Sequence, residues 1–169
     1  ANLLSNMQEL NPSLFPYNLS VWRAFGFNGV GYIEFNDPDY FPPFPVEPGV
    51  AFWIITNSTN QIRFQGKPAP MGIPYEMALK PGWSLIGLPW TSTNINLGNI
   101  KVTDGVNTYF ITDTGNDLTQ QFVWDYKDCS GSPPSCYSGY ERRGLGDTLQ
   151  CGTGYFFKVL AETSVKLII

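Results

Sequence analysis

Histidine is absent from this sequence, so carboxylates are the only acid–base side chains present in number. Asp37 and Asp39 lie in a stretch of Pro and aromatic residues, and Asp125 and Asp128 follow Trp124. Two carboxylates about 5–10 Å apart across a cleft would suffice for glycoside hydrolysis. The spacing does not itself bring them together, and Asp serves equally well in turns, where its side chain accepts nearby amides. The run Asp113-Thr-Gly-Asn116-Asp117 sets oxygen-bearing side chains around a glycine. Asp113, Asn116 and Asp117 are therefore calcium candidates, since Ca2+ takes six to eight oxygens. The spacing and terminal Glu of an EF-hand are missing, and a turn after a strand accounts for the same residues. Serine chemistry has no support: no Gly-x-Ser-x-Gly occurs and no imidazole is present to activate a hydroxyl. No phosphate-binding glycine loop opens a helix. No cofactor is implied.

The second chemistry on offer is aromatic. Tyr40-Phe41-Pro-Pro-Phe44-Pro is stiffened by its prolines, and rigid aromatics bind at low entropic cost. Tyr40, Phe41 and Phe44 are candidates for stacking on a sugar ring or meeting a partner protein. The simpler expectation is that Phe41 and Phe44 fold down as a lid over one end of the core. Trp22, Trp53, Trp83 and Trp124 fall on expected strands and are assigned to the core. Trp90, after Pro89 at a strand end, is expected to be the exposed tryptophan and joins the ligand-binding candidates.

Cys129 and Cys136 flank a Ser-Gly-Ser-Pro-Pro-Ser loop able to turn back on itself, which suggests a short disulfide. Cys151, at the start of an apolar strand, is expected to be a buried free thiol.

These residues are carried by a chain of 169 residues with unusual composition. Charged residues make up 14%, against roughly 25% in an average soluble protein, and aromatics 15%. The net charge of −4 leaves no basic surface for nucleic acid. No stretch approaches the ~18 apolar residues of a membrane helix. The chain starts at Ala1 with no charged-then-apolar leader, which suggests a mature secreted segment or an excised domain.

Helical periodicity is nearly absent, and short runs of β-branched and aromatic residues alternate with Gly, Pro, Asn and Asp. Strands are expected over 21–25, 31–35, 50–56, 61–65, 83–88, 106–112, 121–126, 154–160 and 164–169. Short helices are expected near 3–9 and 97–101. The fold class is all-β: a two-fold internally repeated antiparallel sandwich or barrel.

The repeat is explicit. Residues 46–64 align without a gap on 149–167, placing Gly49 on Gly152, Phe52 on Tyr155, Trp53 on Phe156 and Ile62 on Val165. Each copy reads as a β-hairpin. Upstream, Val21-Trp22 matches Val123-Trp124. The two repeats are expected to occupy residues 1–80 and 81–169 of one compact unit sharing a core. Only the second repeat has the strand Trp83-Ser-Leu-Ile-Gly-Leu-Pro89, which reads as central and buried. The matching place in the first half is expected to be filled by a strand donated from a neighbouring copy or parent module, or covered locally by residues 72–78.

The Trp83–Pro89 strand, the Val123-Trp124 strand and the Leu149–Phe157 hairpin together resemble repeat-type all-β accessory domains of secreted bacterial proteins. The resemblance covers the second half and, from Val21 onward, the first. It implies an accessory module with no catalytic residues and no known ligand. The expected function is a non-catalytic, extracellular or cell-surface module for binding, adhesion or assembly, with a protein or glycan partner. Carbohydrate binding, and then carboxylate-based glycan hydrolysis, are the alternatives.

Overall fold

Glycine turns and short apolar runs build a nearly all-β structure. The computed structural model describes residues 17–35, 47–57, 69–90, 92–127 and 139–169. In chain order the strands are β1 (Trp22–Phe27), β2 (Tyr32–Glu34), β3 (Trp53–Thr56), β4 (Glu76–Leu79), β5 (Gly82–Gly87), β6 (Ile95–Asn96), β7 (Lys101–Thr103), β8 (Thr108–Phe110), β9 (Val123–Lys127), β10 (Gly139–Arg143), β11 (Thr148–Leu149), β12 (Gly154–Val159) and β13 (Val165–Ile168). They form sheets of order β2-β1-β3, β10-β9-β12-β5, β4-β13-β7-β8 and the pair β11-β6, all antiparallel. The β1–β2 turn follows from Asn28, whose Oδ1 accepts the amides of Val30 and Gly31, and from Gly29 at φ +97°. The expected strand at 61–65 and the expected helix near 3–9 lie outside the described residues.

The helix expected near 97–101 is a single 3-10 turn, Leu97–Asn99, capped by the Asn96 side chain. It stops there because Lys101-Val-Thr enters β7 and pairs with β13 and β8, a β-branched stretch that suits a strand.

Period-2 alternation is clearest in β12. Tyr155, Phe157 and Val159 are buried, while Gly154, Phe156 and Lys158 between them are half-buried. The buried set meets Val165 and Leu167 of β13, Val102 of β7, Ile86 of β5 and Val123 of β9, so the two four-stranded sheets enclose one cluster. A second, smaller cluster holds Trp22 and Ala24 of β1, packed with Tyr17, Val21, Ile33, Phe35, Phe52 and Ile54. Among the described residues most buried hydrophobic side chains fall into these two clusters, and Ala69 and Leu85 lie in neither.

The second copy of the expected hairpin is not a hairpin: β12 and β13 belong to different sheets. Both edges of β12 are taken. One pairs with β5; the other pairs with β9 and then with residues 118–120, through the Thr119–Val159 bridge and the bonds Gln120 N to Lys158 O and Leu160 N to Leu118 O. No ladder remains for β13, which crosses the core to pair with β4 and β7.

Strand order nonetheless carries the repeat. The sequence β2-β1-β3 parallels β10-β9-β12, and β5 is the additional strand of the second half. The registers differ, however. Trp22 pairs with Thr56, whose counterpart in the repeat is Val159, yet Trp124 pairs with Phe156. This three-residue slip, being odd, turns the Val-Trp motif over. Trp22 faces its core, whereas Trp124 faces the other way.

The strand expected to be central, β5, stands at the end of its sheet order, and only Leu85 and Ile86 in it are buried. Its outer edge receives residues 49–51 of the first half: Gly87 N donates to Gly49 O at 2.9 Å, and Val50 bridges Ile86. Residues 72–78, expected as the local cover, touch residues 47–50 through Tyr75 Oη, which donates to Pro48 O at 2.6 Å, but they add no strand to the β2-β1-β3 sheet, because β4 pairs with β13.

Candidate functional site

The ladders decide which side chains share a face. In the three-stranded sheet, Phe25 and Phe27 of β1, Tyr32 of β2 and Trp53 and Ile55 of β3 lie on the side opposite Trp22. In the β10-β9-β12-β5 sheet, Trp83, Phe156, Trp124, Tyr126 and Tyr140 lie on the side opposite the buried core. These two surfaces meet.

Phe156 is the hub, packed edge-to-face with Phe27 at 5.2 Å, Tyr140 at 5.6 Å, Tyr32 at 6.1 Å and Trp83 at 6.4 Å between ring centroids. Trp53 meets Tyr126 at 5.3 Å, and Tyr126 meets Tyr140 at 5.5 Å. The ring quadrupole favours this edge-to-face geometry, which sets the electropositive edge of one ring against the electronegative face of the next. The hydroxyls of Tyr32 and Tyr140 share a hydrogen bond of 2.7 Å between the two sheets. Burial, and then this bond, push the Tyr140 hydroxyl above its ordinary range.

Between the surfaces run two open cavities. One, of about 440 Å³, is lined by Phe27, Trp83, Trp124, Tyr140 and Phe156. The other, of about 450 Å³, is lined by Phe25, Tyr32, Trp53, Ile55, Tyr126 and Tyr140. Tyr140 is common to both, so the cavities form one aromatic groove with a partition. A third cavity of about 550 Å³ continues past Trp53 and Tyr126 along the glycine-rich backbone at residues 152–154. The assignment of Trp53, Trp83 and Trp124 to the core is thereby corrected. Only Trp22 is buried in a core, and the other three are half-buried and line the groove.

Charge on the groove faces is one-sided. By register they carry Arg23, Arg142 and Lys158 and, among the described residues, a single carboxylate, Glu34. Glu34 is committed: Arg23 forks onto it at 2.8 and 2.6 Å, and Tyr17 Oη donates to it at 2.9 Å. The bond from Arg23, foremost, holds the Glu34 carboxyl below its ordinary range, so it is ionised and unsuited to donating a proton at neutral pH.

Asp125 projects from the opposite face. Arg143 Nε donates to its Oδ2 at 3.0 Å while Arg143 Nη2 binds Glu141 at 2.9 Å, and Lys127 adds a 3.2 Å contact to Glu141. Asp37, Asp39 and Asp128 lie outside the described residues, as do the ligand candidates Tyr40, Phe41 and Phe44 and the cysteines Cys129 and Cys136.

Trp90, expected to be exposed, is half-buried, as Trp83 is. Its indole donates to Pro70 O at 3.3 Å, and it lines a separate depression of about 320 Å³ with Met71, Ile73 and Ile169. Cys151 is free as expected but only half-buried, because it sits in the turn before β12 and not in the strand.

The calcium candidates serve the turn. Asn116 points inward: its Oδ1 accepts the amides of Leu118 and Thr119, and its Nδ2 donates to Ile111 O and Thr119 Oγ1. Asp113 Oδ2 accepts the Phe110 amide, and Asp117 is exposed. Among the described residues no three His, Cys, Asp or Glu side chains are grouped to hold a metal. Asn116→Ala would leave several buried groups unpaired and is expected to lower unfolding stability by about 2–4 kcal/mol, measured by urea denaturation. A change under about 0.5 kcal/mol would contradict that role.

The groove escaped the sequence reading, although one signal for it was present. Tyr155-Phe156-Phe157 puts three aromatics in succession on one strand, and alternation forbids all three from facing one core. Comparison with protein-family models, curated proteins and solved structures finds no match to this chain.

Proposed function

We propose that this chain is a non-catalytic binding module, acting at the cell surface or outside the cell, whose aromatic groove takes a sugar chain. The observation that carries the reading is the groove itself: three half-buried tryptophans and three tyrosines on facing sheet surfaces, around two open cavities that share Tyr140. Rigid aromatic side chains offer large amphipathic contact area at little entropic cost, and the C–H faces of pyranose rings are natural partners for them. Two adjoining cavities suit consecutive sugar units. The non-catalytic part of the reading is supported by Glu34, which is already engaged by Arg23 and Tyr17. The resemblance to accessory domains of secreted proteins points to the same compartment.

Fluorescence titration against a panel of oligosaccharides tests this. Trp83→Ala and Trp124→Ala are each expected to weaken binding at least tenfold with the far-UV spectrum unchanged, while Trp90→Ala leaves it intact. Absence of binding to any glycan at millimolar concentration, or loss confined to Trp90→Ala, would overturn the reading.

A further inference from the structure

We infer that the glycan recognised by this groove is acidic, a chain of carboxylate-bearing pyranoses, with Arg142 and Lys158 as the residues that select it. The inference rests on the sugar-binding reading above and adds the class of sugar.

Both cations are placed by the ladders. Arg142 of β10 stands directly opposite Trp124 of β9, and Lys158 of β12 directly opposite Trp83 of β5. Paired residues share a face, so each cation flanks one of the two tryptophans of the 440 Å³ cavity. Neither belongs to any ion pair among the described residues, where Arg23, Lys127, Arg143 and Lys166 all have carboxylate partners. Both are instead held over aromatic rings. The Arg142 guanidinium lies 4.2 Å from the centroid of Phe122, which itself packs against Trp124 at 5.6 Å. The Lys158 ammonium lies 5.4 Å from the Trp83 ring. A cation resting on a ring is positioned without being neutralised.

With Glu34 cancelled by Arg23, the facing surfaces retain two unbalanced positive charges among the described residues, in a protein whose net charge is −4. That concentration of positive charge beside an aromatic cavity is complementary to a ligand with an apolar ring face and an anionic substituent. A uronate has both on one ring, and a guanidinium matches a planar carboxylate in two parallel hydrogen bonds. Single-stranded nucleic acid combines stacking with negative charge as well, but it requires a groove of cations tracking successive phosphates, and two cations in an acidic protein do not supply one.

The test uses polygalacturonate, alginate and hyaluronan oligosaccharides, each beside its carboxyl-reduced neutral counterpart, with calorimetric titration at low and at 0.5 M salt. The expected result is binding of at least one acidic form, about tenfold weaker for its reduced counterpart and weaker at high salt. Arg142→Gln and Lys158→Gln should each weaken binding of the acidic form severalfold while leaving the reduced form unaffected. Equal binding of acidic and reduced forms, with both variants unchanged, would overturn the acidic assignment and leave the sugar-binding reading standing. Binding of neutral glycans alone would do the same. Failure of every glycan, or preferential binding of an oligothymidylate, would overturn both.

Discussion

Phe157→Ala is expected to destabilise the protein by about 3–5 kcal/mol, whereas Phe156→Ala, one position earlier, should cost about 1–2 kcal/mol and abolish ligand binding. The two side chains leave β12 on opposite faces. Phe157 is wholly buried between the two four-stranded sheets, and its removal leaves a cavity that its close-packed surroundings can fill only partly. Phe156 is half-buried, so part of its surface is wet already and less is lost on truncation. Its ring, however, contacts Phe27, Tyr32, Trp83 and Tyr140, and without it the groove loses its floor. Urea unfolding and a binding titration on both variants separate the roles. Equal destabilisation, or binding retained by Phe156→Ala, would contradict this division of faces.

Trp22→Ala is expected to cost about 3–5 kcal/mol as well, but locally. Trp22 and Ala24 are the fully buried members of the smaller cluster, and Trp22 supplies nearly all of its buried volume, stacked 5.8 Å from Phe35 and edge-on to Tyr17 at 4.6 Å. No buried residue is common to the two clusters. Hydrogen exchange should therefore show β1, β2 and β3 losing protection while the amides of Phe157, Val159 and Leu167 retain theirs. Uniform loss across both regions would show that the clusters open as one cooperative unit.

The all-β architecture was legible because β-branched and aromatic runs broken by glycine leave few other choices. Two of the strands that escaped notice have local composition at odds with their place. Glu76-Met-Ala-Leu79 of β4 consists of strong helix formers, held extended by four residue pairs with β13. β10 is charged, and it is a strand because Glu141 and Arg143 pair across with Asp125 and Lys127 while Tyr140 reaches the groove. The groove was harder to foresee for a different reason. It depends on register, and the three-residue slip between β1/β3 and β9/β12 has no signature in an ungapped repeat. The Val-Trp motif occurs in both halves, yet one tryptophan anchors a core and the other lines a cavity. The fate of β13 was hidden in the same way, since only the occupancy of both edges of β12 sends it to another sheet.

The most direct measurement of the central claim is an NMR titration of the five tryptophan indole N–H signals with the best-binding oligosaccharide. The aromatic groove predicts that the signals of Trp83, Trp124 and Trp53 shift or broaden saturably, while those of Trp22, inside the smaller core, and Trp90, in its separate depression, stay in place. Perturbation of Trp90 with the three groove tryptophans unmoved would contradict the account.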